Sequence, residues 1–137
     1  MRVFIAQKKC IRALFGMEWS ESCKAVFKSK NLLTVPSIYI YEVAKFVKYY
    51  KYLFVTNDNT HKRPITHLPL KMPVPKLELY RKSCAYMVPL IFNCLPKGII
   101  DLPYKPFCCA LRKWLIQESY YSTKDFHNDS SCRYGAY

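Results

Sequence analysis

Apolar side chains recur at three and four residue steps through the first 54 positions of this chain, lose that rhythm across a proline-rich middle, and regain it near Cys84. From Val3 to Phe15 the sequence VFIAQKKCIRALF puts Phe4, Ile11, Leu14 and Phe15 on one side and Lys8, Lys9 and Arg12 on another, which predicts a helix stopped by Gly16. A shorter helix is expected to begin near Ser20, whose hydroxyl is a candidate cap. Glu21 then falls in its first turn, Cys23, Val26 and Phe27 face inward, and it ends by Asn31. The clearest helix runs from about Val35 to Leu53. Thr34 is its N-cap and Pro36 sits early, where a missing N–H costs little. Tyr39, Val43, Phe46, Val47 and Tyr50 recur on one face and Glu42, Lys45, Lys48 and Lys51 on the other. The expected core residues of this helix are Tyr39, Val43, Phe46 and Tyr50.

After Phe54 the segment VTNDNTHKRP gathers turn-forming residues, and Pro69, Pro73 and Pro75 follow. Each proline removes a donor and biases its predecessor away from helix, so Leu68 to Leu79 reads as extended. Alternating Leu68, Leu70, Met72 and Val74 fit an edge strand or an arm lying across the helices. Helix is expected again from Cys84 to Leu95, kinked or delayed by Pro89 and closed by Pro96. KGIIDLP reads as a connector, and Pro106 is placed to open another helix. There Phe107, Leu111, Trp114 and Leu115 oppose Arg112, Lys113 and Gln117. Ser122 caps a last turn through Phe126. The predicted fold is mainly α: a small helical bundle over residues 3–54, an extended proline-rich segment over 55–82, and C-terminal helices over 83–126. These form one domain, 1–126, and residues 127–137 are expected to be a flexible tail.

Charge narrows the function. Lys and Arg number 22 against 9 Asp and Glu, a formal net charge of +13 spread along the chain, so a polyanion is the natural partner and RNA or DNA stands ahead of a membrane surface. An aromatic content of 16% argues against plain disorder. The candidate phosphate contacts are Lys8, Lys9 and Arg12, then Lys45, Lys48 and Lys51, then Lys62 and Arg63 beside His61, and Arg112 with Lys113. Tyr49, Tyr50 and Tyr52 are candidate stacking groups. The competing reading makes the same lysines a solvated face and the chain a protein-interaction module.

Catalytic chemistry is not expected. The acids are scattered, no nucleophile motif or phosphate-cradling glycine loop is present, and His61, His67 and His127 have no cysteine or carboxylate at ligand spacing. Seven cysteines without a C-x-x-C read as reduced, mostly buried thiols, which places the chain in a reducing compartment, nuclear or cytoplasmic. No apolar run reaches the roughly 20 residues of a membrane span. No cofactor is expected.

The order of motifs resembles the region C-terminal to the polymerase palm in non-LTR, LINE-like reverse transcriptases of the jockey-like kind. QKKCIRALFG at Gln7 to Gly16 is similar to the family's Q-K-x-x-(I/L)-R element. SCKAVFKSKNLLTVPSIYIYEVAKFV, Ser22 to Val47, follows its S-C-x-x-L-F-x-x-x-x-I-L-T-(L/V)-P-S-L-Y-I-Y-E pattern. SCAYMVPLIFNCLP, Ser83 to Pro96, resembles S-x-x-Y-x-x-x-x-x-(Y/F)-N-x-L-P, and Phe107 with LRKWLIQESYYSTKDF, Leu111 to Phe126, resembles the closing element. The resemblance implies a fragment of an RNA-directed DNA polymerase, with thumb-like helices that hold nucleic acid and an upstream polymerase domain as partner. The family's Asp-Asp palm motif is absent, so the chain alone is expected to be inactive, and Mg²⁺ belongs to the intact polymerase only. Pro89 departs from the family pattern, and a non-functional remnant is the third reading.

Overall fold

Thr34 settles where the central helix begins, and the other long helices pack against that helix. A computed structural model describes residues 2–54 and 70–129. Helices α1 (Arg2–Phe15), α2 (Lys24–Ser29) and α3 (Val35–Tyr49) precede a short 3₁₀ turn at Lys51–Leu53. Helices α4 (Glu78–Arg81), α5 (Cys84–Asn93), α6 (Lys97–Ile100), α7 (Tyr104–Glu118) and α8 (Thr123–Asp129) follow the middle segment. The fold is mainly α, as the periodicity predicts, and no strand occurs among the described residues.

The expected cap is present and does more than cap. Thr34 is fully buried; its hydroxyl accepts from the Ser37 backbone N–H at 3.3 Å and donates to the Tyr120 carbonyl, tying the start of α3 to the end of α7. Gln7 secures the same point from α1. Its amide donates to the Leu33 carbonyl at 2.9 Å and accepts from the Val35 N–H at 3.0 Å. Helix α1 ends as predicted at Gly16, with φ of 61° and the Met17 N–H returning to the Arg12 carbonyl at 2.9 Å. Asn31, φ 53°, closes α2 in the same manner, with the Leu32 N–H bonded to the Phe27 carbonyl at 2.8 Å.

Two cores result. In the larger, α3 packs on α5 and α7, burying Ile40, Ala44 and Val47 against Ile91, Phe92, Phe107, Leu111 and Leu115. The smaller joins Phe4 and Ile11 of α1 to Cys23 and Phe27, with Tyr121 packed against them. Asn93, at the end of α5, binds both backbone groups of the buried Leu70 through its side-chain amide, each at 2.9 Å. This amide satisfies Leu70 as a neighbouring backbone would and ties the extended arm to α5.

Several expectations are corrected. The buried face of α3 is Ile40, Ala44 and Val47; Tyr39 and Phe46 are exposed, and Val43 and Tyr50 are only half-buried. Close approach to α5 and α7 favours the small Ala44 over bulky aromatics, so the helix is turned about one position from the strongest hydrophobic signal. Helix α2 begins at Lys24 and not near Ser20, with Cys23 in the cap position and no side-chain cap. KGII is a helical turn, α6. Helix α3 stops at Tyr49, and α5 stops at Asn93 with Pro89 buried inside it. The start of α7 is Tyr104, with Pro106 in its first turn. Helix α8 runs past Phe126 to Asp129, so the start of the expected tail is helical. Cys94 is disulfide-bonded, which corrects the reading of seven reduced thiols, while Cys10, Cys23, Cys84, Cys108 and Cys109 are free.

Candidate nucleic-acid interface

The predicted cations divide into those with partners inside the fold and those without. Lys45 and Lys48 belong to the first group. Lys45 is held by Glu42, one turn away on α3, at 3.0 and 3.2 Å, and lies 4.8 Å from the Tyr41 ring centre. The Glu42 hydrogen bond raises its pKa. Lys48 is half-buried; its ammonium donates to the Ile100 carbonyl at the end of α6 and sits 5.2 Å from the Phe107 ring centre. Burial, with Lys51 adding repulsion, lowers its pKa. Only Lys51 of the three is exposed. Arg112 and Lys113 are exposed on α7, and Lys62, Arg63, His61 and His67 lie outside the described residues.

Around α1 the arrangement differs. Phe4 and Lys8 stand one turn apart, and the Lys8 ammonium lies 4.9 Å from the Phe4 ring centre and 5.6 Å from that of Tyr121. Lys24, from the first turn of α2, lies 6.0 Å from the same Tyr121 ring. Arg12 donates through Nη2 to the Glu21 carbonyl at 3.1 Å, while its Nε is buried with no acceptor among the described residues. Its guanidinium is 5.6 Å from the Trp19 ring centre, and the Lys9 ammonium is 5.7 Å from it. Trp19 is 73% exposed, so a flat indole flanked by two cations faces solvent. Burial raises the Tyr121 pKa, and the Ser22 hydroxyl and Arg12 act in the other direction. No described atom is at hydrogen-bond geometry to the Tyr121 hydroxyl.

The nearby acids do not neutralise this group. Glu21 directs its carboxylate to the Glu18 N–H at 3.1 Å. The ion pairs among the described residues are Lys45 with Glu42 and Arg81 with Glu78. A second feature lies on the outer side of α3, where Phe46, Tyr49, Tyr50 and Tyr104 line an open groove of about 330 Å³ with Lys45 and Glu42 at its rim. Tyr49 and Tyr50 contact edge to face at 4.8 Å, and Tyr49 and Tyr104 at 5.6 Å. The candidate stacking residues Tyr49 and Tyr50 thus form one side of a groove, while Tyr52 is 77% exposed beside Tyr50.

Sequence reasoning placed Lys8, Lys9 and Arg12 correctly on one helix but missed Trp19, Lys24 and Tyr121 as their neighbours. Trp19 and Lys24 are close enough in sequence to have been weighed with that cluster. Tyr121 is about a hundred positions away and carries no local signal. Among the described residues no group of three His, Cys, Asp or Glu could hold a metal ion, and no helix is long and apolar enough to cross a membrane. No family model, curated protein or solved structure matches this chain.

Proposed function

We propose that the chain is the post-palm part of an RNA-directed DNA polymerase of a non-LTR retrotransposon, and that its own role is sequence-independent binding of nucleic-acid phosphates. The observation that carries the binding role is the set of cations beside exposed or half-buried rings on the α1–α2 side, Lys8, Lys9, Arg12 and Lys24, with no carboxylate paired to them among the described residues. The net charge of +13 makes a polyanion the fitting partner. The family reading rests on the resemblance in motif order. The catalytic chemistry would reside in an upstream polymerase domain, and this chain would supply grip.

The protein-interaction reading is favoured by one feature. Val74, Leu77 and Leu79, around the short α4, are all more than 70% exposed and offer an apolar edge on which a polymerase body could dock. The two readings describe different surfaces and are compatible. The test of the binding role is the affinity of the purified chain for a fluorescently labelled RNA strand or primer-template across a salt series. Affinity for a single strand should fall as salt rises, with the slope of log K against log salt steeper by about 0.7 for each phosphate neutralised. A flat response, or no binding at low salt, would contradict it.

A further inference from the structure

We infer that the notch bounded by α1, the start of α2 and Tyr121 holds one phosphodiester of a single nucleic-acid strand, with Trp19 as the platform for the adjoining base. This inference rests on the nucleic-acid-binding reading above and gives it a location and a strand type.

Three cations converge on one tyrosine. Lys8 and Lys24 lie 5.6 and 6.0 Å from the Tyr121 ring centre, and Arg12 is near enough to act on its phenol. Holding like charges together without an acid is unfavourable, so the arrangement lacks an anion. Beside them lie two buried groups with no hydrogen-bond partner among the described residues, Arg12 Nε and the Tyr121 hydroxyl. Buried donors normally have acceptors. A phosphodiester supplies two charged oxygens able to accept from several donors at once, and charge-assisted bonds of this kind are the strong ones.

Arg12 links the notch to Trp19. Its guanidinium lies 5.6 Å from the indole while its Nε faces inward, so an anion bound at Nε sits one side chain away from the exposed ring. That is the order of parts along a strand, a phosphate and then a base. In a duplex both faces of each base are already stacked, whereas an unpaired base can lie on the indole. Trp19 is 73% exposed and makes its described ring contacts with Lys9 and Arg12, which leaves it open to such a base.

The experiment uses the full chain carrying Trp114→Phe, which leaves Trp19 as the one indole, titrated with oligouridylate while tryptophan emission is followed. Quenching on binding is expected. Trp19→Ala should weaken binding about tenfold, the effect of removing one base stack. Tyr121→Phe should leave the thermal midpoint unchanged or raised, because it removes an unsatisfied buried hydroxyl, and should still lower affinity. A Tyr121 with a merely structural role would not give that split. If the strand binds but emission, Trp19→Ala, Tyr121→Phe and Arg12→Gln all leave the titration unchanged, the notch is overturned and the binding reading stands. Failure of the parent chain to bind at low salt overturns both. Competition by an acidic peptide as effective as that by unlabelled strand also overturns the inference, assigning the notch to carboxylates.

Discussion

The lysines of α3 and those around α1 are alike in sequence and opposite in availability. Both sets repeat along a helix beside aromatic residues. On α3, however, Glu42 engages Lys45 and the Ile100 carbonyl engages Lys48, leaving Lys51 as the exposed member. Around α1, Lys8, Arg12 and Lys24 gather near Tyr121 with no carboxylate paired to them among the described residues. A basic stripe measures charge. Only the surroundings of each cation say whether that charge is free to meet a phosphate.

Substitutions at four places would upset or refine this contrast. The largest effect is expected where the two regions join. Thr34→Ala removes the α3 cap and the hydroxyl that donates to the Tyr120 carbonyl, and should lower unfolding free energy by about 2 kcal/mol in urea titrations. Next, Arg12→Gln with Lys24→Gln should reduce affinity for single-stranded RNA about thirtyfold, since both side chains would forfeit a charge-assisted bond to phosphate, with helicity retained by circular dichroism. Lys48→Met should leave RNA affinity within about twofold of the parent and cost roughly 1 kcal/mol of stability, the worth of its bond to the Ile100 carbonyl. The smallest effect is expected at Glu42→Gln, which frees Lys45 and should raise affinity by about twofold, consistent with the modest strength of exposed ion pairs.

His127 adds a pH dependence on the larger core. Its ring is half-buried, Nε2 has no partner among the described residues, and Nδ1 lies 3.6 Å from Cys94 Sγ. Burial lowers its pKa below the ordinary 6.5. The unfolded chain therefore takes up the proton first on acidification, so stability is full above the ordinary value and falls as pH drops from there toward the folded value. His127→Phe should flatten that part of a stability–pH curve.

Much of the fold was legible because its signals are local. The Thr34 cap, the early Pro36, the Gly16 stop and the Phe107, Leu111, Leu115 face of α7 each depend on residues within two turns, and each is present. The facing of α3 was not legible. Tyr39, Phe46 and Tyr50 carry more hydrophobic weight than Ile40, Ala44 and Val47, yet close packing on α5 and α7 selects the narrower stripe, and the aromatics Phe46 and Tyr50 go to the groove with Tyr104. Long-range duties were invisible for a related reason. Gln7, Thr34 and Asn93 all fall within the stretches that carry the family resemblance, and here each bonds to backbone elsewhere in the chain. Their part in this structure is to hold the helices in place. For the candidate site, the sequence supplied the cations but could not show that Tyr121 gathers three of them.

The most direct test compares salt dependence in two double variants on the same RNA strand. Replacing Arg12 and Lys24 by Gln should make the slope of log K against log salt shallower by about 0.7, the change that follows when one fewer phosphate is neutralised, while replacing Lys45 and Lys48 by Gln should leave it unchanged. A shallower slope for the α3 pair with none for the α1–α2 pair would contradict the account.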